Sequence, residues 1–412
     1  MNILVMPRSL CGLLSSLQCH SSRRGVFALF LLLGLTTGLP PAHAQTPLSD
    51  IVQVAAAGGH TCALTSGGGV KCWGANGVGQ LGDGTAVNRL TSMDVSGLGS
   101  GISAIAAGYN HTCALTTDGG VKCWGGNFWG QLGDGTTTNR LTAVDVNGLS
   151  SGVSAIAAGS NHTCALTIGG GVKCWGTNNG GELGDGTTSA RLTAVDVSGL
   201  SSGISAIAAD DGHTCALTTG GGVKCWGSNQ FGELGDGTTT LRSTAVDVVG
   251  LSSGVSAIAA GSNHTCALTS GGGVKCWGSN FVGQLGDGTG AGRLTAVDVS
   301  GLSSGVSAIA ARSSHTCALT AGGGVKCWGA NHSGQLGNGM TTNRWTADDV
   351  SGLSSGVRAI AAGGGHTCAL TTGGGVKCWG SNQFGELGDG TTTRRSTAVD
   401  VVGLSSGVSA IA

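Results

Sequence analysis

HTCALTTDGGVKCWG, residues 111–125, decides the fold of this chain because it recurs seven times with few changes. The copies begin at histidines spaced 51 residues apart: His60, His111, His162, His213, His264, His315 and His366. Tandem copies of one unit at a fixed period are the signature of a repeat protein. The copies and their connections fill almost the whole chain after residue 50.

Each copy contains four short strand candidates, which the second copy shows at residues 102–108, 111–116, 121–125 and 141–146. These segments are rich in β-branched or small apolar residues and are bounded by Gly, Asn, Asp or Ser, as strands and their turns usually are. Four strands in one repeat of this length correspond to a blade of a β-propeller. We therefore predict an all-β, seven-bladed β-propeller of tandem 51-residue repeats, whose closure removes long open sheet edges.

Two cysteines ten residues apart occur in every copy, and a hairpin turning at residues 66–68 would place Cys62 opposite Cys72. Cysteines that face each other across an antiparallel pair have disulfide geometry, so one intra-hairpin disulfide per blade is predicted. A metal site is the open alternative, because His60 shares a strand face with Cys62. It ranks second, since zinc ligands usually come in Cys-x2-Cys clusters. The predicted pairs are Cys62–Cys72, Cys113–Cys123, Cys164–Cys174, Cys215–Cys225, Cys266–Cys276, Cys317–Cys327 and Cys368–Cys378.

The first 44 residues differ in kind from the repeats and are predicted to be a signal peptide. Arg23 and Arg24 precede an apolar run over residues 26–39, and residues 42–44 read Ala-His-Ala, the form of a cleavage site. Residues 45–412 are predicted to form one propeller domain, with the opening strand of an eighth copy at the C-terminus. The paired cysteines and the leader together favour a secreted, periplasmic or cell-surface protein with no membrane span after cleavage.

Residues 111–135 carry a resemblance to a known family. They read HTCALTTDGGVKCWGGNFWGQLGDG, which resembles the repeat of the regulator of chromosome condensation family: His-Thr-x-Ala-Leu, then Gly-x-Val-x-x-Trp-Gly-x-Asn-x-x-Gly-Gln-Leu-Gly. The resemblance covers residues 51–412 and implies a seven-bladed propeller. The paired cysteines are similar to those of secreted bacterial members, and one secreted bacterial propeller inhibits β-lactamases through loops on one face. The eukaryotic founder is a nucleotide exchange factor for a small GTPase, an activity that an exported protein would not be expected to share.

Charge and motif content argue against two classes of function. After the leader, 17 Lys and Arg stand against 21 Asp and Glu, so the basic patch needed to bind nucleic acid is not expected. The chain has no isolated carboxylate pair, nucleophile elbow or phosphate-binding glycine loop before a helix. We therefore predict a protein that is not an enzyme and uses no cofactor and no metal.

Residues that recur in all seven copies are predicted to be structural. The invariant histidines are expected to hydrogen-bond between blades. The Asp of the Leu-Gly-Asp-Gly loop, such as Asp83, is replaced by Asn338 in one copy and is expected to cap a turn. Lys71 and its equivalents are expected to lie along neighbouring strands. Arg89 and its equivalents are expected to pair with the Asp of the Val-Asp-Val strand.

Variation among the copies concentrates in the two residues before each invariant histidine and the two residues after each Trp-Gly-x-Asn. Equivalent loops of a propeller project from one face, and aromatic residues there have the composition of a recognition surface. The prediction is a secreted, non-enzymatic, monomeric scaffold that binds another protein or an envelope component through these loops. Neutral drift at exposed turns, hydrolase or lyase chemistry at the ring centre, and exchange-factor activity are the alternatives. Candidate partner-binding residues are Tyr109, Phe128, Trp129, Gln230, Phe231, Phe281, His332 and Phe384.

Overall fold

Residues 51–405, which the computed structural model describes, form seven four-stranded antiparallel sheets. The predicted signal peptide, residues 1–44, and the predicted opening strand of an eighth copy lie outside the described residues. No helix in the described part of the chain is long and apolar enough to cross a membrane.

Each sheet is one blade, and its four strands follow one another in the sequence. The first strands are Ile51–Ala56 (β1), Ile102–Ala107 (β5), Val153–Ala158 (β9), Ile204–Ala209 (β13), Val255–Ala260 (β17), Val306–Arg312 (β21) and Val357–Ala362 (β25). The second strands are His60–Thr65 (β2), His111–Thr116 (β6), His162–Thr167 (β10), His213–Thr218 (β14), His264–Thr269 (β18), His315–Thr320 (β22) and His366–Thr371 (β26). The third strands are Val70–Gly74 (β3), Val121–Gly125 (β7), Val172–Gly176 (β11), Val223–Gly227 (β15), Val274–Gly278 (β19), Val325–Gly329 (β23) and Val376–Gly380 (β27). The fourth strands are Arg89–Asp94 (β4), Arg140–Asp145 (β8), Arg191–Asp196 (β12), Arg242–Asp247 (β16), Arg293–Asp298 (β20), Arg344–Asp349 (β24) and Arg395–Asp400 (β28).

The first strands lie next to one another around the ring, and β25 of the seventh blade lies beside β1 of the first. They therefore surround the centre, while the fourth strands form the more exposed outer edge. The all-β, seven-bladed propeller is confirmed, with strand limits within one residue of those predicted for the second copy. Because all four strands of a blade are consecutive, contacts between blades must hold the ring together.

The second and third strands of each blade are joined by a disulfide. Cys62 lies opposite Cys72 in the register that pairs Leu64 with Val70, and the two Cα atoms are 4.1 Å apart. The equivalent bond is present in all seven blades, so the predicted pairing is confirmed. All fourteen bonded cysteines are fully buried, which makes each disulfide a part of the hydrophobic core.

The core consists of seven apolar layers between neighbouring blades. In the first layer the Cys62–Cys72 disulfide and Leu81 of blade 1 pack against Ile105 and Trp124 of blade 2. The invariant tryptophans have no exposed surface, and burial of so large a side chain contributes strongly to stability. Each blade thus supplies one half of two layers.

Hydrogen bonds from the invariant histidines connect each blade to the next. His60 Nε2 lies 2.8 Å from Thr112 Oγ1, and that hydroxyl donates its proton to the carbonyl oxygen of Gln80, 2.9 Å away. Because the hydroxyl has only one proton, His60 must donate from Nε2. Trp124 Nε1 donates to the same Gln80 carbonyl at 3.0 Å. The histidines therefore bridge the blades, as predicted.

The same contacts close the ring between the seventh blade and the first. His366 Nε2 lies 2.8 Å from Thr61 Oγ1, and Thr61 and Trp73 both donate to the Glu386 carbonyl at 2.9 Å. The Arg358 guanidinium adds a hydrogen bond to the Ile51 carbonyl oxygen. The seventh blade is thus tied to the first as firmly as any other pair of neighbours.

Candidate functional site

Both variable segments of the repeat lie on one face of the ring, which we call the upper face. It is the face on which each first strand ends and each second strand begins. One groove of about 400 Å³ is lined by Gly58 and Tyr109, from the segment before the histidine, and by Val78 and Phe384, from the loop after the third strand. The turns between second and third strands lie on the opposite face.

Each variable loop of the upper face is built around a buried asparagine. In blade 1 the Asn76 side chain accepts a hydrogen bond from the Leu81 amide at 2.9 Å. It donates to Asp83 Oδ1 and to the carbonyl oxygens of Thr85 and Val87, all at 3.1 Å. The equivalent asparagines make the same donor contacts around the ring. A buried amide that satisfies the polar groups of its own loop fixes the loop conformation.

A buried Gln or Glu holds the backbone beneath the variable pair. Gln80 Oε1 accepts a hydrogen bond from the Val78 amide at 3.1 Å, and Glu233 Oε2 accepts one from the Phe231 amide at 2.8 Å. Burial raises the pKa of the Glu182 and Glu233 carboxyl groups above the usual range. The backbone of the loops is therefore held in place, while the variable side chains can differ between blades.

A close approach between blades explains the first glycine of the Leu-Gly-Asp-Gly sequence. Gly82 has a φ of +70°, and a Cβ atom there would lie 2.7 Å from Trp124 Nε1. Asp83 caps the turn that follows, as predicted, because its Oδ1 accepts hydrogen bonds from the Thr85 amide and hydroxyl at 3.0 and 2.7 Å. Burial opposes ionisation of Asp83, but hydrogen bonds from Thr85 and Arg89 outweigh it and lower the pKa.

The invariant arginines do not pair as the sequence predicted. Arg89 Nη2 binds Asp83 Oδ2 at 2.7 Å, whereas the Asp of the fourth strand, Asp94, binds Lys71 Nζ at 2.6 Å. The predicted pairing of the arginines with the Val-Asp-Val strand is wrong for a geometric reason. Arg89 begins the fourth strand and lies next to the loop, while Asp94 ends that strand opposite Lys71.

The candidate aromatic residues are exposed on the upper face to different extents. Gln230 and His332 are also exposed, and Phe231 is half-buried. Exposed apolar residues mark an interaction site when they form a contiguous patch, so their grouping matters more than their single exposures. The exposed fractions are 54% for Tyr109, 77% for Phe128, 40% for Trp129, 72% for Phe281 and 39% for Phe384.

The structure groups these side chains into three sectors. Phe128 and Trp129 of blade 2 pack edge to face, with ring centroids 5.7 Å apart. Phe231 of blade 4 packs in the same way against Phe281 of blade 5, at 5.8 Å, and Gln230 lines the adjoining groove. In the third sector, Tyr109 and Phe384 line the groove described above, and His332 belongs to none of the three.

One exposed aromatic residue, Trp345, lies outside the predicted set. It takes the second position of β24, where most blades have leucine, such as Leu294, and it is 42% exposed. A Cβ atom on Gly283, two residues after Phe281, would lie 2.7 Å from the Trp345 Cα. Trp345 thus lies beside the loop that carries Phe281, and a comparison of the seven fourth strands would have revealed it.

A cavity of about 360 Å³ opens at the centre of the upper face, and all seven blades contribute to its lining. Burial raises the pKa of Asp210, one of its lining residues, to about 6. Asp210 and Arg312 of this lining have no equivalent charged residue in the other blades. The cavity is also lined by the residue two positions before the invariant histidine in every blade: Gly58, Tyr109, Ser160, Asp211, Ser262, Ser313 and Gly364.

The invariant histidines are not candidates for acid–base catalysis. Burial lowers the pKa of His60 to about 3, with smaller effects from Arg312 and neighbouring histidines. The other six have pKa values of about 3 or, for His213, about 4. All seven are fully buried, so they are neutral hydrogen-bonding groups that a substrate does not reach.

The alternative of a metal site on the paired cysteines is wrong, because the sulfur atoms are joined to each other in all seven blades. Within residues 51–405 no group of three or more His, Cys, Asp or Glu side chains is arranged to hold a metal ion.

Comparison with known families agrees with this geometry. Models of the regulator of chromosome condensation (RCC1) repeat match residues 51–80, 102–131, 68–115 and 118–166. The model of the RCC1-like domain matches residues 146–412. The chain belongs to the RCC1 family. The resemblance carried by residues 111–135 is therefore confirmed.

Other RCC1-family proteins act in quite different settings. The chain is 32% identical to the ultraviolet-B receptor UVR8 of Arabidopsis thaliana, over 85% of this chain and 81% of UVR8. It is 37% identical to the probable E3 ubiquitin-protein ligase HERC4 of Homo sapiens, over 49% of this chain and 20% of HERC4, so the match spans about a fifth of that protein. A similar solved structure is that of Prp20p from Saccharomyces cerevisiae, whose binding to Gsp1p and histones has been studied. The two structures superpose with a TM-score of 0.73 at 23% sequence identity, over 82% of this chain and 87% of Prp20p. That likeness shows the shared fold.

Proposed function

We propose that this RCC1-family propeller is an exported, non-enzymatic scaffold that binds a protein partner through the upper face. The observation that carries the proposal is the distribution of exposed aromatic side chains. Outside the invariant tryptophans, the aromatic residues of the described chain lie in the variable loops of that face or beside them. Interfaces between proteins are enriched in Tyr, Trp and Phe.

Rigid loops on the upper face also support binding. The buried Asn76 and its equivalents hold each loop, and Gln80 and its equivalents hold the backbone of the variable pair. A surface whose backbone does not have to be ordered on binding loses less entropy when a partner docks. The relatives support the same class of function, because a photoreceptor and a protein with studied binding properties share the fold.

Export is supported by the seven disulfides. Structural disulfides persist in oxidising compartments and are rare in the cytosol, and the leader-like segment before the repeats agrees with that setting. Exchange-factor activity on a cytosolic GTPase would need a protein with free thiols, so the bonded cysteines weigh against that alternative.

Catalysis at the ring centre remains a second candidate because of one observation. Asp210 is the buried one of the two acids that line the central cavity, and burial raises its pKa to about 6. A carboxyl group that titrates near neutrality is suited to proton transfer. We rank this function second because Asp210 is only 2% exposed and already accepts a hydrogen bond from the Ser313 amide at 3.2 Å.

The binding proposal is tested with a double variant, Phe128→Ala with Phe281→Ala. These side chains are 77% and 72% exposed, so the melting temperature should change by little, because substitutions at such positions usually alter stability by less than about 0.5 kcal/mol. Affinity for a partner captured from the native envelope or medium should fall at least tenfold, since buried aromatic anchors typically contribute about 2 kcal/mol or more.

Ile168→Ala is the matched control. Ile168 is 75% exposed but lies in the turn between β10 and β11, on the opposite face. It should bind the partner with unchanged affinity, as measured by calorimetry or surface plasmon resonance. Unchanged affinity of the Phe128→Ala, Phe281→Ala variant would refute partner binding through the aromatic residues of the upper face.

A further inference from the structure

Two charged residues break the symmetry of the ring at its centre. The residue third before each invariant histidine is Gly or Ala in five blades, but it is Asp210 in blade 4 and Arg312 in blade 6. Both side chains are more than nine-tenths buried, at 2% and 8% exposure. A buried ion pair is seldom better for stability than the small residues it replaces. Stability alone therefore does not explain why two of the seven similar blades carry these charged residues.

The two side chains do not satisfy each other. Arg312 reaches across the centre, and its Nη1 donates to the Ala107 carbonyl of blade 2 at 2.8 Å. Its Nε lies 3.7 Å from Asp210 Oδ1, which is a loose ion pair. Arg312 Nη2 is buried and has no hydrogen-bond partner among residues 51–405. The cavity lined by Arg312 thus holds a guanidinium group with donor capacity left over.

The same cavity has an excess of negative charge. Asp210, Asp211 and Arg312 all line it, which leaves one carboxylate without a cation. Asp211 is exposed at the rim. Burial raises the pKa of Asp210, Arg312 opposes that shift, and Asp211 adds a smaller contribution in the same direction as burial. A ligand that fits must therefore bring a cation as well as an acceptor.

Simple ions meet only one of these conditions. An anion such as a lone carboxylate would satisfy Arg312 Nη2 but would increase the negative charge, and a lone amine would leave Nη2 without an acceptor. The amino-terminal residue of a polypeptide carries an ammonium group and, one carbon further, a carbonyl oxygen. Its net charge of about +1 at neutral pH compensates the unpaired carboxylate. Capture of a terminal amine is a known mode of peptide recognition.

We propose that the central cavity binds the free amino terminus of a polypeptide partner, with the ammonium group at Asp211 and the first carbonyl oxygen at Arg312. The exposed ring of Tyr109, which lines the same cavity, is placed to contact the first side chain. This inference rests on the proposed function and specifies which part of the partner enters the ring. The cavity of about 360 Å³ has room for a terminal residue and part of the next.

The test uses tetraalanine amide with a free amino terminus, its N-acetylated form and free L-alanine, each titrated into the folded protein and followed by NMR or calorimetry. The free-terminus peptide should bind at least tenfold more tightly than either of the others. Equal binding of the acetylated peptide, binding of L-alanine as tight as that of the peptide, or no binding of the free-terminus peptide would each overturn the assignment.

Other blades supply the residues for the variants, because Arg312→Gly and Asp211→Ser introduce residues found at the same positions elsewhere in the ring. Arg312→Gly leaves Asp210 buried without its cation, so its fold is first checked by circular dichroism, whereas Asp211 is exposed and Asp211→Ser should fold normally. Each should weaken binding of the free-terminus peptide at least tenfold. Asp118→Gly, which removes an exposed carboxylate from a turn on the opposite face, is the charge-matched control and should bind normally. Full binding by Arg312→Gly would contradict the proposal.

Failure of this inference can be told apart from failure of the proposed function. Suppose that a captured partner binds equally well after acetylation of its amino terminus but no longer binds the Phe128→Ala, Phe281→Ala variant. That result would refute only the amino-terminal site. If the free-terminus peptide binds but the Phe128→Ala, Phe281→Ala variant keeps full affinity for the partner, the proposed aromatic binding surface is wrong and the amino-terminal site stands.

Discussion

Reduction of the seven disulfides is expected to unfold the protein. Each bond closes a loop of about ten residues, which corresponds to roughly 2–3 kcal/mol of stabilisation in the chain-entropy description. Seven bonds together contribute about 15–20 kcal/mol, which exceeds the 5–15 kcal/mol of net stability that is usual for a folded domain. The bonds also lie in the core, where Cys62 and Cys72 pack against Leu81 and Trp124.

Other interactions within the blades contribute too little stability to replace these disulfides. Aromatic residues are 4% of the chain and 81 of its 412 residues are glycine, so each blade buries little apolar area and the chain loses much conformational entropy on folding. Because the sulfur atoms are fully buried, reduction should require prior opening of a blade, for example in moderate urea.

The experiment compares circular dichroism and melting of the oxidised protein, the protein reduced and alkylated in urea and then returned to buffer, and a mock-treated control that was never reduced. The mock-treated sample should refold and the reduced one should not. A reduced sample that melts within a few degrees of the oxidised one would show that the blades do not depend on their disulfides.

Acidification from pH 7.5 to pH 4.5 should have the second largest effect, a steep loss of stability. The seven invariant histidines have folded-state pKa values of about 3 to 4, against about 6.5 when unfolded. In that interval the unfolded chain binds protons and the folded ring does not. The stabilisation is therefore complete above pH 6.5 and is lost as the pH falls towards 3, at about 1.4 kcal/mol per histidine and pH unit.

Three buried carboxyl groups act in the opposite direction. Burial raises the pKa of Asp210, Glu182 and Glu233, so their protonation in the folded state favours folding as the pH falls. Seven histidines outnumber these three, which leaves a net loss of roughly 5–10 kcal/mol per pH unit below pH 6. The aspartates of the Asp83 type have lowered pKa values and add to the loss only at lower pH.

Urea unfolding midpoints measured at one-unit steps from pH 7.5 to 4.5 give the number of protons taken up on unfolding. We expect roughly three to six protons per molecule near pH 5.5. His332→Gln is the control, since His332 is exposed and lies outside the ring of buried histidines; it should leave the slope unchanged. A midpoint that stays constant over this range would mean that the histidines are not held neutral by the fold.

The repeat period and the cysteine spacing made the fold predictable. Four short strands per copy set the blade, and the ten-residue spacing of Cys62 and Cys72 set the hairpin register, which the structure reproduces. The partner of His60 was harder to identify, because Thr112 belongs to the next copy and an identical Thr61 follows His60 directly. In identical repeats, the sequence alone does not distinguish contacts within a copy from contacts between copies.

The pairing of the invariant arginines was missed although one blade contains the signal for it. In blade 6, asparagine replaces the usual loop aspartate at Asn338, and Arg344 binds Asp348 instead, at 2.8 Å. Position 348 holds valine in most other copies. An aspartate that appears where another is lost indicates that both serve one arginine, so this compensation points to the loop aspartate as the normal partner.

The charged centre was also present in the sequence but was not singled out. Asp210 and Arg312 differ from the Gly or Ala of the other copies, yet they lie one position before the segment in which variation was recognised. The sequence could not predict that the Asp210 and Arg312 side chains lie close together. Blades 4, 6 and 2 face one another only because the seven blades close into a ring. Long-range proximity of this kind follows from the number of blades and not from any local pattern.

Closure of each blade by its own disulfide can be tested by mass spectrometry after tryptic digestion without reduction. A lysine immediately precedes the second cysteine of every pair, as Lys71 precedes Cys72, so trypsin places each of the fourteen cysteines in a separate peptide. We expect seven linked peptide pairs, each joining neighbouring segments such as residues 90–122 and 123–140. Fourteen free thiols in native material, or links between peptides of different blades, would contradict it.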